Sequence, residues 1–293
     1  MFNTWRKRQA LLAYALLSLP ILYFLVYFFY PIVVELWASF YSGQPLIGAA
    51  TFTGLGNYAQ AFSDPRAVHA FFTTILYAVG TTVLTLVPAL GLAAILSGPI
   101  RGAKAVRTII FFPYIISFVI VALMWKSLLD PYSGILNNIL FALGLPGQNW
   151  LNDPGSALWA MTLITVWKDI GYATLIYIAA IQNIPSPLYE AASIDGATRG
   201  QMFWSITLPL LRPTTLFLAV VGMITQLQDI SASILLTNGG PADATRVFSL
   251  HTYETAFQQL DIGYASALSF LMFVVILVIT LIQFRFLNRQ VSY

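Results

Sequence analysis

The chain has 293 residues, of which 58% are hydrophobic and 9% charged, with a formal net charge of +3. A soluble domain carries about a quarter of its residues as charges, so this composition excludes an ordinary water-facing surface and points to lipid as the solvent. The absence of cysteine excludes disulfides and thiolate metal sites, and His69 and His251 stand in separate loops, too isolated to make a ligand pair.

A membrane-spanning helix needs about 20 apolar residues, and six segments qualify: 11–34, 71–97, 108–128, 156–181, 212–237 and 263–285. They predict an all-α, polytopic membrane protein with one domain over 1–293. The runs are continuous, so a porin-type barrel, which needs short alternating strands, is excluded. The first run is longer than a signal-peptide core and no small-residue cleavage site follows it, so an uncleaved span is expected. Pro20, Pro31, Pro88 and Pro113 fall in or near spans, where neighbouring helices can satisfy the freed carbonyls.

Orientation follows from the basic residues. With the N-terminus inside, the inner set is Arg6, Lys7, Arg8, Arg101, Lys104, Arg107, Arg199, Arg212, Arg285 and Arg289. The outer set is only Arg66, Lys126 and Arg246, and Lys168 lies inside a span. Both termini and the 182–211 loop are therefore expected in the cytoplasm. Trp37, Tyr41, Tyr58, Trp125, Tyr132, Trp150 and Trp159 fall near span boundaries and read as a headgroup-level aromatic belt.

Residues 182–211 read as two short helices joined by a tight turn. Ser186 is expected to cap the first, with Pro187 in its opening turn. Leu188, Ala191 and Ala192 make a shallow face that another protein could approach closely. Asp195-Gly196 breaks the helix, because glycine takes the left-handed conformation at little cost. Met202, Phe203 and Ile206 line one side of the second segment, and Pro209 is expected to separate it from the next span. On these residues alone, an ordinary interhelical loop remains an open alternative.

Ionisable groups at bilayer depth are costly and face a bundle interior or water. Lys168 and Asp169 in the fourth span and Asp229 in the fifth come out at similar depths, roughly 14 Å and 12 Å below the outer boundary, at 1.5 Å per residue. Asp169 shares a face with Thr165 and Tyr172, and Asp229 shares one with Thr225 and Gln228. Three readings stay open: an interhelical Lys168–Asp229 pair that is purely structural, a substrate path lined by Lys168, Asp169, Tyr172, Thr225, Gln228 and Asp229 that suits a hydroxyl-rich ligand, or placement at a lipid edge or subunit interface. The stripe Tyr114, Ser117, Phe118, Val121 and Trp125 reads as packing.

The loop also resembles a known family. Glu190-Ala191-Ala192, Gly196, Ile206 and Leu208-Pro209 match, without insertion, the EAA loop of the permeases of binding-protein-dependent ABC importers. Gly54-Leu55-Gly56-Asn57-Tyr58 with Phe62, Phe112-Pro113-Tyr114 through Trp125-Lys126, Pro131 and Gly134, and Leu236 through Pro241 are similar to the carbohydrate and glycerol-phosphate type. The six spans resemble the glycerol-3-phosphate-type permeases more than the maltose type, whose extra N-terminal spans and large outer domain are missing. The resemblance implies a type I importer permease in a bacterial or archaeal inner membrane. It would work by alternating access and be paired with a second, unlike permease. Two ATP-binding subunits would carry ATP and magnesium, and an extracytoplasmic binding protein would deliver the solute; nucleic acid is not an expected partner. Glu190, Ala191, Ala192, Asp195, Gly196, Ile206, Leu208 and Pro209 would couple the path to the ATPases. The cargo would be a sugar or oligosaccharide, with glycerol 3-phosphate next.

Two other functions compete. A proton- or sodium-coupled secondary transporter would use Asp169 and Asp229 as ion sites, but no repeat between the halves is visible. A membrane enzyme would need an acid–base or nucleophile pair, and none is evident. No Gly-x-x-x-x-Gly-Lys-Ser/Thr occurs, so a nucleotide loop on this chain is excluded. No catalytic residue, metal or cofactor is expected here.

Overall fold

In hydrocarbon a backbone amide must find its partner within its own segment, so long apolar runs become helices. The computed structural model describes residues 2–46, 48–98 and 101–287, with side chains from residue 8 to residue 285. Arg289 lies outside the described residues, as do the side chains of Arg6 and Lys7. The chain divides into two compact units, Met1–Asp64 with Thr252–Phe273, and Pro65–His251 with Val274–Tyr293.

The first unit begins with α1 (Phe2–Phe24), a π turn over Leu25–Phe29, and α2 (Tyr30–Ala38). The π turn has a cause. Pro31 has no amide hydrogen and its ring crowds the carbonyl four residues back, at Tyr27; the widened turn relieves this, with the Tyr30 amide bonding Leu25 instead. A short hairpin of β1 (Tyr41–Gly43) and β2 (Ala50–Phe52) follows, then α3 (Gly56–Ser63). Asn57, only 3% exposed, donates to the carbonyls of Ser39 (2.8 Å) and Tyr41 (2.7 Å), and Tyr58 bonds the Ser39 hydroxyl at 2.6 Å. The Gly54-to-Tyr58 motif is thus a clasp holding the hairpin to its helix, with the Tyr58 hydroxyl part of it. At the far end of the unit Asp261 accepts the amides of Gly43 and Tyr264, both at 3.1 Å.

The second unit is the helical bundle. It contains α4 (Pro65–Leu96), α5 (Ala103–Ile115), α6 (Phe118–Leu128), α7 (Ile135–Ala142), α8 (Ala157–Gln182) and α9 (Ser186–Ile194). Then come α10 (Arg199–Met202), α11 (Leu208–Leu210), α12 (Arg212–Gln228) and α13 (Ser231–Leu236). Two further helices, α14 (Phe248–Phe257) and α15 (Ile262–Leu287), run across the division between the units. Small residues let α4 and its neighbours approach closely, as membrane bundles require: Ala67, Ala70, Ala78, Ala89 and Ala93 are buried. At Gly171 of α8 an added Cβ would collide with the carbonyl of Ile110, so α5 crosses α8 directly over that glycine. One apolar cluster gathers Tyr77, Val121, Met161, Ile164 and Leu250; another gathers Ala89, Ala93, Tyr177, Leu211 and Leu218.

Among the described residues four helices, Arg8–Ala38, Pro65–Leu96, Ala157–Gln182 and Ile262–Arg285, are long and apolar enough to cross a membrane. Two bent pairs bring the number to six. The six expected spans are met when each bent pair counts as one, and two of them are therefore broken helices. The 108–128 segment is not one helix: α5 and α6 meet at 100° across Ile116 and Ser117, so the stripe from Tyr114 to Trp125 does not lie on one face. The 212–237 segment also breaks, because Asp229 turns extended (ψ 128°) and its carboxylate accepts the first amides of α13, from Ser231 (2.9 Å) and Ala232 (3.2 Å). Trp150 is tied into the 129–155 loop, its indole N–H donating to Asn137 at 2.9 Å.

Candidate functional site

Two regions carry the candidate residues, the elbow at 182–211 and a cavity inside the bundle. In the elbow, α9 runs from Ser186 to Ile194, one residue earlier than a Ser186 cap would allow. Pro185 occupies the cap position and the Ser186 side chain caps nothing, which corrects that expectation. The break at Asp195-Gly196 is built as expected. Gly196 has φ +78°, its amide bonds Ser193 at 3.1 Å, and the Ala197 amide reaches back to Ala192 at 2.9 Å, the paired closure that lets a left-handed residue end a helix.

The returning segment starts with a reciprocal cap. Thr198 Oγ1 accepts the Gln201 amide while Gln201 Oε1 accepts the Thr198 amide at 2.8 Å. Thr198 and Gln201 stand at the spacing of that signature, so the sequence held the signal. Pro209 does not part this segment from the span. A π turn over Phe203–Thr207 absorbs it as the turn before Pro31 does, the Leu208 amide bonding Phe203. The chain bends instead by 60° at buried Leu211. Tyr189 fastens the two arms of the elbow by a 2.8 Å bond to Thr207. No residue of α9 is buried, and Ile194 at its end is 87% exposed.

The cavity, about 150 Å³, lies among α4, α5, α8 and α12. Three of the six substrate-path candidates line it: Asp169, Tyr172 and Thr225. Tyr172 stacks on Tyr114 with centroids 4.8 Å apart, and Gln226 Nε2 donates to Asp169 Oδ2 at 3.1 Å. Lys168, Gln228 and Asp229 fall outside the lining. The proposed Lys168–Asp229 pair does not form. Lys168 Nζ donates to the Tyr114 carbonyl (3.0 Å) and sits 5.0 Å from that ring's centre. Asp229 receives the Tyr77 hydroxyl at 3.4 Å besides its two amides.

Sequence reasoning missed the opposite wall. Thr81, Thr82 and Thr85 of α4 face the cavity together with Gln226. The three hydroxyls and Gln226 Oε1 are buried and find no hydrogen-bond partner among the described residues. Buried polar atoms are normally paired, so these four, which have almost no accessible surface of their own, are exceptions in the packing beside the cavity.

Comparison with known proteins fits this architecture. Residues 89–293 match the family described as binding-protein-dependent transport system inner membrane component. The chain belongs to that family. The permease is 34% identical to the sn-glycerol-3-phosphate transport system permease protein UgpA of Yersinia pestis over 269 residues, 92% of this chain and 91% of that one. It is also 34% identical to the probable ABC transporter permease protein YurN of Bacillus subtilis, over 92% of this chain and 94% of that one. The crystal structure of a bacterial ABC transporter that imports the acidic polysaccharide alginate superimposes with a TM-score of 0.86 at 29% identity, covering 99% of the permease and 100% of that chain. The permease is therefore a multi-pass inner-membrane component of an ABC importer with the type I fold, and its relatives are transport permeases.

A third feature of the bundle is an ionic knot in the 238–246 loop. Asp243 accepts Arg66 Nε (2.9 Å) and Arg246 Nε (2.7 Å), and its carbonyl meets His69 Nε2 at 3.2 Å. The hydrogen bond from Arg66, seconded by Arg246, holds the Asp243 carboxyl down at about 2. The knot ties the loop to the start of α4.

Proposed function

We propose that this permease forms half of the translocation path of an ATP-driven importer for a sugar or oligosaccharide, with glycerol 3-phosphate as the next cargo. A second, unlike permease completes the path, and two ATP-binding subunits supply hydrolysis with their own ATP and magnesium. An extracytoplasmic binding protein delivers solute. The chain itself is non-catalytic and carries no cofactor. Its relatives support the partner set: a similar alginate importer was crystallised with an alginate pentasaccharide-bound periplasmic protein. The distribution of basic residues supports cytoplasmic termini and a cytoplasmic elbow.

The observation that carries this reading is the family match over residues 89–293, together with an elbow whose helix α9 has no buried residue and ends in an 87% exposed Ile194, so that it stands open to a partner. Glu190, Ala191, Ala192, Asp195 and Gly196 would seat in the ATPase, and Ile206, Leu208 and Pro209 would pass its movement to α12. Asp169, Tyr172 and Thr225 would meet the cargo during alternating access. Lys168, Gln228 and Asp229, candidates by depth, are read as framework around that path.

Uptake into proteoliposomes tests the reading. Transport should require ATP and the separate ATP-binding subunits, and should survive ionophores that collapse proton and sodium gradients. Uptake that follows those gradients without ATP would overturn it.

A further inference from the structure

A second open space lies at the elbow end of the bundle. It is a groove of about 460 Å³ between the last turns of α4 and α8 and the returning arm of the elbow, within the range that ligand pockets span, about 300–1,000 Å³. Its walls are mainly apolar, with Ile95, Ile181, Met202 and Phe203 among them, and no carboxylate lines it. The elbow's own acids, Glu190 and Asp195, are not part of the wall. The hydroxyls around the groove are spent: Ser97 Oγ donates to the Ala93 carbonyl at 2.6 Å, and Tyr189 and Thr207 bond each other at 2.8 Å. Arg199 is the exception. It lines the groove, is exposed, and its guanidinium makes no hydrogen bond or ion pair among the described residues. Trp204, whose ring centre lies 5.6 Å from that of Phe203, is 68% exposed, as an indole at headgroup level is. Arg101 and Lys104, both exposed, follow Gly98 of the groove wall in the chain.

We propose that this groove holds an anionic phospholipid of the inner leaflet, with its phosphate on Arg199 and its acyl chains along Ile95, Ile181, Met202 and Phe203. This rests on the importer reading, which places the elbow on the cytoplasmic side. Charge and wall chemistry choose the occupant together. An unspent guanidinium facing no carboxylate attracts an anion and can bond two phosphate oxygens at once. Walls built from the ends of two spans would strip water from a free phosphate without replacing it, whereas acyl chains suit them. Basic pockets between spans on the cytoplasmic side are the usual seats of anionic headgroups. The ATPase fits the groove less well, because α9, the helix it would grip, gives only Tyr189 to the wall among the described residues. A lipid seated there fills the gap between the span ends and the elbow, so inner-leaflet composition becomes part of the coupling machinery.

The chain has no cysteine, and a Cβ on groove-lining Gly200 would meet nothing within 4 Å, so Gly200→Cys can carry a fluorophore there. The test uses the assembled complex, purified through a tag on this chain and reconstituted in phosphatidylcholine vesicles. These carry either phosphatidylglycerol or phosphatidylcholine with a nitroxide high on its acyl chain, and the signal is read against the complex without the cysteine. Labelled phosphatidylglycerol should quench the fluorophore at about a fivefold lower lipid fraction than labelled phosphatidylcholine, the worth of one arginine at an anionic surface. Arg199→Gln should erase that preference and Arg199→Lys should retain it. Arg212→Gln, at an exposed arginine outside the groove, should leave it intact. Because the Arg199 guanidinium has no partner to lose, Arg199→Gln should unfold at the wild-type temperature in phosphatidylcholine alone. Equal quenching by the two lipids (ordinary boundary lipid) or a preference that survives Arg199→Gln would overturn the inference. So would displacement by millimolar inorganic phosphate (a free-anion site), or a label that neither lipid reaches (a groove covered by the ATPase). Uptake that proves independent of ATP would strike the importer reading and leave the lipid preference standing.

Discussion

Lys168 reaches out of α8 to the carbonyl of Tyr114, 3.0 Å away, at the point where α5 gives way to α6. Helix α5 ends at Ile115 and the next turns at 100°, so Tyr114 lacks the following turn that would bond its carbonyl. The ammonium group replaces that missing donor. An intramembrane charge that depth alone marks as a cargo contact is, by its partner, the brace of a broken helix.

Lys168→Met should therefore destabilise the complex by about 1 kcal/mol, the net worth of one hydrogen bond to a part-exposed carbonyl. Unfolding in detergent should register the loss, while the apparent affinity for transported cargo should change less than threefold. A large affinity change with unaltered stability would return Lys168 to the substrate path.

Gly196 separates strain from crowding. A Cβ there meets nothing within 4 Å, yet φ is +78°, so substitution costs only backbone energy, about 1–2 kcal/mol for a non-glycine residue. Gly196→Val should lower ATP-dependent uptake at least tenfold with normal membrane insertion. Gly196→Asn, which tolerates the left-handed region, should keep most of it. Equal activity in both would deny the turn a role in coupling.

Gly171 is the opposite case. An added methyl would overlap the Ile110 carbonyl, and helices cannot part without opening the bundle. Gly171→Ala should cost about 3 kcal/mol or more and show as a collapse in folded yield. Gly80→Ala, whose Cβ would sit 3.8 Å from Thr162, should express normally.

The Asp243 knot predicts a pH dependence with a definite sign. The carboxyl is held at about 2 against an ordinary 3.8, so its stabilisation is complete above about pH 4 and disappears as the pH falls through 2. Asp243→Asn should be less stable than wild type by up to about 1 kcal/mol at neutral pH, the worth of an ion pair screened by water. That difference should close between pH 4 and pH 2 in thermal unfolding measurements. A gap that persists to pH 2 would mean the loop is held by something else.

Apolar length made the spans legible, and Asp195-Gly196 made the turn of the elbow legible, because these signals are local. The breaks were not. Depths counted at a constant rise assume an unbroken helix, and Asp229 itself ends α12 by capping α13. Depth also gives height without azimuth. Lys168 and Asp229 were matched in level yet turned to different neighbours, and Gln226 was hidden beside the more prominent Gln228. The threonines of α4 looked like ordinary span residues; only the helices packed around them make Thr81 and Thr85 stand out.

The two closures at the elbow leave it almost nothing to bend with. The Gly196 stop is complete by Ala197, and the reciprocal cap begins at Thr198. Tyr189 and Thr207 brace the arms across the gap. Such a segment behaves as a strut and not a tether: a displacement of α9 has no slack chain to take it up and must arrive at Leu211 as a rotation.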